Sequence, residues 1–457
     1  MIDIATLSTA PVAVLGLGRS GLAAAKALLG SRILVWGWDD DAKVRGAAGQ
    51  AGIPLVDLYL CDMRQPTMLV LSPGIPHTHP KPHPVVERAR TNGCEIIGDV
   101  ELLIRAQSDA AFVAVTGTNG KSTTTAMIGH VLDRAKRDVA VGANLGMPAL
   151  ELDALGAGGT YVLEMSSYQL ELTPSLTPDV AVLLNISPDH LDRHGGIDGY
   201  VAAKRLIFKR QRPGSTAVVG VDDALSRKVC DGLRSANAAR VVPVSGRDPV
   251  RGGVYVADGT LRDDTDGSDV AVLDMADAAA LPGEHNAQNA AAAFAAARAL
   301  GIESDIIVDA IRGFPGLAHR QERIAVINGV AYVNDSKATN ADAAARALSC
   351  YDAIYWIAGG QPKDGGLDAV APWLDRVRHA FLIGEAAEDF ADNLEGRVPL
   401  TRSGTLDAAV AAARACAETE QAASPVVLLS PACASFDQFR DFEDRGDAFR
   451  ALVEAMA

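Results

Sequence analysis

Positive charge, paired cysteines and long apolar runs are what this chain is short of, and each shortage narrows its function. Its 457 residues carry 42 Lys and Arg against 57 Asp and Glu, a formal net charge of −15. A broad nucleic-acid surface needs a basic face to collect phosphates, so no nucleic-acid partner is expected. An anionic small molecule stays open, because a Gly-rich loop and a few cations bind one locally. The six cysteines, Cys61, Cys94, Cys230, Cys350, Cys416 and Cys433, stand far apart with no CxxC pair. That spacing argues against structural zinc and a disulfide framework and fits a reducing cytoplasm. No apolar run approaches the roughly 18–20 residues that span a bilayer, so membrane insertion is not expected. Asp3 leads directly into a strand with no basic stretch before an apolar one, unlike a signal peptide. Aromatics make up only 5%, yet 48% of the chain is hydrophobic and 22% charged, a globular balance rather than a disordered or fibrous one.

A chain of this length outgrows one hydrophobic core, so two to four domains are expected. Apolar strands alternate with helical patterns, which implies parallel βαβ units and an α/β fold. The first segment reads as strand Pro11–Leu15, the turn Gly16-Leu-Gly-Arg-Ser-Gly21, helix Leu22–Leu29, and strands Ile33–Trp36 and Met68–Leu71. The second restarts at Phe112–Val115, has strands near Tyr161–Leu163 and Val180–Asn185, and ends in an Ala-rich helix after His285-Asn286. The third begins around Gly316–Arg320, with strands near Ile354–Ile357, Ala380–Ile383 and Val426–Leu429. Asp248–Gly267 reads as a hairpin or irregular excursion. Cuts near 99 and 316 give segments 1–99, 100–316 and 317–457.

The most informative stretch is Phe112-Val-Ala-Val-Thr-Gly-Thr-Asn-Gly-Lys-Ser-Thr-Thr-Thr125, a strand, a Gly-rich turn and a helix start. Gly117 and Gly120 let backbone N–H groups approach phosphate oxygens with no Cβ in the way. The helix beginning at Lys121 adds its positive end. Lys121 can reach the β- and γ-phosphates, and the Ser122 hydroxyl is suited to Mg²⁺. Gly117 stands only three residues before Gly120, a departure from the usual G-x-x-x-x-G-K-[ST] spacing. By contrast, Gly16-x-Gly18-x-x-Gly21 is ambiguous alone. It suits a dinucleotide with Asp39 on the ribose, the diphosphate of another nucleotide conjugate, or simply a tight strand–helix turn.

Phosphoryl transfer needs metal ligands at strand ends near such a loop. Glu164 ends one strand, and Asn185-Ile-Ser-Pro-Asp-His190 follows another, with Asp192 and His194 close behind. Carboxylate and imidazole together suit a divalent cation, although a capping Asp189 and a surface His190 would look the same. Tyr200–Phe208 has the pattern of an amphipathic helix, in which Lys204 reads as a solvated residue.

Taken in order, Thr116-Gly-Thr-Asn-Gly-Lys-Ser-Thr123, Glu164-Met-Ser-Ser167, Asn185–His190, Gly283-Glu-His-Asn286, His319-Arg320 and Asn334-Asp-Ser-Lys-Ala-Thr-Asn340 resemble the Mur ligase family. The likeness runs through essentially the whole chain. It is nearest to the branch that adds D-glutamate to UDP-N-acetylmuramoyl-L-alanine. The opening Gly-Leu-Gly-x-Ser-Gly, the turn Leu71-Ser-Pro-Gly-Ile-Pro76 and Leu429-Ser-Pro-Ala-Cys-Ala-Ser-Phe-Asp-Gln-Phe439 carry that nearness. The resemblance implies a Rossmann-like N-terminal domain, a central P-loop-type ATP-binding domain and a Rossmann-like C-terminal domain.

It also implies roles. Gly117, Thr118, Asn119, Gly120, Lys121, Ser122 and Thr123 would cradle ATP, with Ser122 and Glu164 on one Mg²⁺. His190 would help hold a second Mg²⁺ with Lys204, carried as a carbamate whose negative charge can ligate metal. Asn286 and Asn289 would meet adenine, while Arg320 and Asp335 approach the nucleotide. Gly18, Arg19, Ser20 and Asp39 would hold the UDP moiety. Ser72, Asn144 and His190 would line the path of the muramoyl-alanine carboxylate. Thr339, Lys363, Ser435 and Phe442 match the glutamate positions, where a dicarboxylic amino acid needs cationic and hydroxyl donors. Trp36-Gly-Trp-Asp-Asp-Asp41 and Gln361-Pro362 depart from the family's pattern.

The implied reaction is carboxylate attack on the γ-phosphate, an acyl phosphate, then amine attack to give an amide, ADP and phosphate. A cytoplasmic monomer with a closing third domain is expected. An L-glutamate-adding relative, a non-catalytic nucleotide-binding protein and a dehydrogenase using Gly16–Gly21 are the rivals. The last has no use for the Gly117–Ser122 loop.

Overall fold

The computed structural model describes residues 2–4, 10–236, 239–362 and 366–456. Its strands form three sheets. The first is wholly parallel, in the order β2-β1-β3-β4, from β1 (Val12–Leu15), β2 (Val35–Trp38), β3 (Met68–Leu71) and β4 (Glu95–Ile97). β1 and β3 are buried along their whole length, as expected of parallel strands covered on both faces. β2 sits two residues later than its apolar pattern suggests. The preceding helix, Arg19–Gly30, closes with Arg32 at φ +61° and the Ile33 N–H on the Leu28 carbonyl. Ile33 is therefore the apolar plug of a helix C-terminus and not the start of the strand.

The second sheet has nine strands in the order β13-β12-β11-β10-β9-β8-β5-β7-β6. They are β5 (Ala111–Thr116), β6 (Val139–Ala143), β7 (Thr160–Glu164), β8 (Val180–Leu183), β9 (Thr216–Gly220), β10 (Arg240–Ser245), β11 (Val254–Ala257), β12 (Thr260–Asp263) and β13 (Val270–Asp274). β5 lies between β7 and β8, parallel to both, which sets their C-terminal ends side by side. The expected excursion at 248–267 contains the antiparallel pair β11–β12, turning at Asp258-Gly259 with positive φ at both residues.

The third sheet runs β14-β15-β19-β16-β17-β18. Its strands are β14 (Glu322–Ile327), β15 (Val330–Asn334), β16 (Ile354–Gly359), β17 (Val377–Ile383), β18 (Leu400–Gly404) and β19 (Val426–Leu429). All pair parallel except β14–β15, a hairpin at Asn328-Gly329 that the sequence reading passed over. The chain divides into two compact units, residues 1–277 with 286–313, and 278–285 with 314–457. The first unit holds the first two sheets and the second unit the third. Among the described residues, no helix is long and apolar enough to cross a membrane.

Candidate active site

The phosphate loop leaves β5 at its buried C-terminal end and enters the helix Lys121–Arg134. Gly120, the helix N-cap, has φ +82°, and a Cβ there would lie 2.2 Å from Asn289 Oδ1. Only glycine meets both demands. Lys121 Nζ donates to the Gly117 and Thr118 carbonyls at 3.0 and 2.8 Å, folding back over the loop. Ser122 is buried and Thr123 half-buried.

The loop is braced from β8. Asn185 Oδ1 accepts the Asn119 N–H at 2.9 Å, and its Nδ2 donates to the Asn119 carbonyl and to Gln288 Oε1, both at 3.2 Å. Gln288 Nε2 in turn donates to Asp222 Oδ2 at 2.8 Å. Thr118 is held by the Ser187 N–H at 3.0 Å and lies 3.3 Å from the Tyr200 hydroxyl. Sequence reasoning gave Asn185 and Gln288 no role, although Asn185 stands inside a recognised motif. Asn185→Ala is expected to raise the KM for ATP about tenfold by loosening the loop, through loss of its half-buried hydrogen bonds. An unchanged KM in steady-state phosphate release would refute the brace.

β7 brings up Glu164, 2% exposed. Asn144 Nδ2 donates to its Oε1 at 2.6 Å, whereas its Oε2 is buried with no hydrogen-bond partner. Asn144 follows Ala143, which takes φ +77° at the end of β6. Such strained non-glycine backbone is concentrated at functional sites. His190 also adopts a left-handed conformation, φ +50°. Its side chain is 54% exposed, with Nε2 3.5 Å from Asp189 Oδ2 and its ring 5.4 Å from that of Tyr168. His194 is structural. It is buried, its Nε2 is 2.9 Å from Ser167 Oγ, and it stacks on Tyr168.

Lys204 overturns its reading as a solvated residue. It lies in the helix Ile197–Arg205 and is 1% exposed. Its Nζ donates to the Gly117 carbonyl at 2.8 Å and sits 4.5 Å from the centre of the Tyr200 ring. Burial, and then the charge of Lys121, hold its pKa well below the usual lysine value, against a smaller opposing pull from Asp189.

In the first sheet, Gly16 has φ +86°, and a Cβ at Gly21 would stand 1.7 Å from the Gly16 carbonyl oxygen. Gly18 faces open space and caps the helix Arg19–Gly30, in which Ser20 is half-buried. A bare helix N-terminus of this kind suits an anion. Asp39 and Ser72 brace the loop. Asp39 accepts the Leu17 N–H at 2.7 Å and the Asp41 N–H at 2.9 Å, and Ser72 donates to the Gly16 carbonyl at 2.9 Å. Arg19 donates to the Gly146 carbonyl, and Arg193 to the Gly74 carbonyl at 2.7 Å, so this loop region adjoins the central sheet's site.

Asn286 and Asn289 pack beneath the phosphate loop. Asn289 accepts from Thr124 Oγ1 at 3.2 Å and donates to Asn286 Oδ1 at 3.1 Å.

In the second unit, Asp335 is buried at the end of β15. It accepts the Ser430 hydroxyl at 2.8 Å and the Gln321 N–H at 3.1 Å, and burial raises its pKa to about 7. Arg320, half-buried, adjoins Gln321. Thr339 is half-buried and Ser435 buried, while Lys337 Nζ lies 3.5 Å from the centre of the Phe442 ring. Lys363 falls outside the described residues.

Residues 115–297 match the family description "Mur ligase middle domain". A protein of Rhodospirillum rubrum named UDP-N-acetylmuramoylalanine--D-glutamate ligase is 55% identical over 450 residues, covering 97% of this chain and 94% of its own. One of the same name from Caulobacter vibrioides is 52% identical over 464 residues, covering 100% and 98%. This chain belongs to the Mur ligase family. The fold agrees: a Thermotoga maritima structure, UDP-N-acetylmuramate-alanine ligase, aligns with a TM-score of 0.59 at 18% identity, covering 98% of this chain and 100% of that one. A pseudomurein peptide ligase type C of Methanothermus fervidus gives 0.56, also at 18% identity, with the same coverage.

Mur ligases use ATP and Mg²⁺, and the residues here fit a divalent cation. The unpartnered Oε2 of Glu164 is a buried anionic donor, one strand away from the helix start that carries Ser122. Among the described residues, no three His, Cys, Asp or Glu side chains stand together as a ready metal cluster. Hydroxyl and phosphate oxygens would complete the set.

Proposed function

We propose that this chain joins D-glutamate to the free carboxylate of UDP-N-acetylmuramoyl-L-alanine at the expense of ATP, in the cytoplasmic assembly of peptidoglycan precursors. It works as a monomer of three domains, residues 1–99 for the UDP substrate, 100–316 for ATP and 317–457 for the amino acid. One observation carries the chemistry: a phosphate loop flanked by Glu164, with its unpartnered buried oxygen, and by a buried lysine on the Gly117 carbonyl. The names of the full-length relatives support the choice of substrates.

Gly18, Arg19, Ser20 and Asp39 hold the UDP, and Ser72, Asn144 and His190 guide the muramoyl-alanine carboxylate. That carboxylate attacks the γ-phosphorus of ATP, the bond to the β-phosphate oxygen breaks, and ADP leaves an acyl phosphate. Lys121 and the N–H groups of residues 117–123 offset charge on the transferred phosphoryl. Asn286, Asn289, Arg320 and Asp335 position the nucleotide. The amine of glutamate, held by Thr339, Lys363, Ser435 and Phe442, attacks the acyl carbon. Collapse of the tetrahedral intermediate expels phosphate, and the amine gives up its proton. Bound Mg²⁺ would supply Lewis-acid stabilisation at the phosphates, one ion on Ser122 and Glu164 and another on His190 and Lys204. For that last role the neutral Lys204 amine adds to carbon dioxide, forming a C–N bond and releasing a proton to leave a carbamate anion. Burial of Nζ, which disfavours the ammonium form, supports that step.

Phosphate release with ATP and UDP-N-acetylmuramoyl-L-alanine, compared across D-glutamate, L-glutamate and no amino acid, tests the reading. Release with D-glutamate alone, with the amide seen by mass spectrometry, is expected. Release with L-glutamate alone would keep the mechanism and overturn the stereochemistry, and no turnover would overturn the muramoyl substrate.

A further inference from the structure

An asparagine or glutamine side chain carries its donor and its acceptor on arms of nearly equal size, so its neighbours decide which way round it sits. At the phosphate loop that choice matters. Asn185 Oδ1 takes the Asn119 N–H at 2.9 Å, and its Nδ2 gives to the Asn119 carbonyl at 3.2 Å. Turned over, the amide would set oxygen against oxygen and hydrogen against hydrogen. The peptide after Asn119 is the one that enters Gly120, the N-cap of the helix Lys121–Arg134. In a trans peptide the carbonyl and the following N–H point to opposite sides. Holding the Asn119 carbonyl on Asn185 therefore turns the Gly120 N–H away from Asn185.

The sense of Asn185 is fixed from the far end of a chain of side chains. Gln288 is 5% exposed on the helix Glu284–Ala299. Its Oε1 accepts from Asn185 Nδ2 at 3.2 Å, and its Nε2 donates to Asp222 Oδ2 at 2.8 Å. Asp222 ends the chain as an acceptor on both oxygens. Its Oδ1 takes the Ser245 hydroxyl at 2.6 Å, and its Oδ2 also takes the Gly246 N–H at 2.9 Å. Those donors come from the end of β10 and the residue beyond it, so the carboxylate is held independently of the loop. The next residue, Asp223, accepts the Ile186 N–H at 3.1 Å. Two adjacent acids after β9 thus hold two adjacent residues after β8. Asn289, beside Gln288, lies against the same loop: it accepts from Thr124 Oγ1 and leaves no room for a Cβ at Gly120.

We propose that Gln288 is a positioning residue for the nucleotide: anchored on Asp222, its amide sets the sense of Asn185 and, through it, the pose of the phosphate loop. The proposal rests on the reading that this loop holds the phosphates of ATP. Packing and relay differ in what a second substitution adds, because links in series fail together. In the full-length protein, Gln288→Met keeps the bulk and removes both arms of the amide. It weakens ATP binding about fivefold, read by calorimetry without the UDP substrate, and leaves the KM for the UDP substrate within about twofold. Gln288→Met combined with Asn185→Ala weakens ATP binding about tenfold, as Asn185→Ala does alone, and not the roughly fiftyfold of independent sites. Gln288→Asn, too short to reach both partners, covers the case in which Gln288→Met does not fold. It weakens ATP binding about threefold and likewise adds nothing to Asn185→Ala. Unchanged ATP binding in the single variants, or effects that multiply in the double ones, would overturn the proposal and leave Gln288 a packing residue. Wild-type protein that binds no ATP, or binds it as well after Lys121→Ala, is a separate result, which overturns the phosphate-loop reading and this inference with it.

Discussion

Lys204→Ala is expected to lower the ligase rate by about 10³-fold while the protein stays folded. The size follows from what the side chain is asked to do. An ammonium beside Lys121 would repel a cation, whereas a carbamate at the same place is an anion able to hold one. The environment favours the neutral amine, the form that a carbamate would need. Lys204 is buried beside the Tyr200 ring, and its proton is discouraged first by burial and then by Lys121. Because its pKa is depressed, the neutral, nucleophilic form is present at pH values where an exposed lysine is fully protonated. Two measurements check this. Purging carbon dioxide should depress the wild-type rate reversibly, and bicarbonate or formate should restore part of the variant's rate by placing a carboxylate in the vacated space. A folded Lys204→Ala enzyme working at the wild-type rate would rule out an essential carbamate.

Glu164→Gln is expected to cost about 10²–10³-fold in turnover and to raise the Mg²⁺ concentration needed for half-maximal rate at least tenfold. The substitution preserves shape and an oxygen for Asn144 Nδ2, but removes the charge from a carboxylate whose Oε2 has no partner in the protein. A buried acid left half-satisfied is unfavourable for folding alone, and a cation would answer it. The thermal midpoint should therefore hold or rise rather than fall, so the loss is functional and not a folding defect. Wild-type turnover with an unaltered Mg²⁺ requirement would remove Glu164 from the metal site.

The parts of this protein that were legible in the sequence are those whose requirements are local. Gly117, Gly120, Lys121 and Ser122 stand within six residues, and the strand, glycine turn and helix start expected there are the ones the fold shows, because neighbouring backbone alone decides them. β3 and β19 were readable at Met68–Leu71 and Val426–Leu429 because short apolar runs suffice for strands buried on both faces. β2 was misplaced because Ile33 is apolar for another reason, closing a helix. The hairpin at Asn328-Gly329 had its turn signal and the apolar run Ile324–Ile327 in plain view and was passed over all the same, although β14 itself is half-exposed.

The tertiary structure alone decided which charged side chains are removed from water. Lys204 and the carbonyl it binds are 87 residues apart, and nothing in the period of the helix Ile197–Arg205 distinguishes it from a solvated lysine. Arg445 lies among acidic neighbours near the start of the C-terminal helix, where it looks like part of a wet face, until Ser336, 109 residues away, and the loop after β19 close over it. Glu164 was recognisable by position, but its unpartnered oxygen became visible only when β6 and β7 were paired and Asn144 had taken the other. Local backbone preference is written in adjacent residues, whereas desolvation depends on what the rest of the chain lays on top.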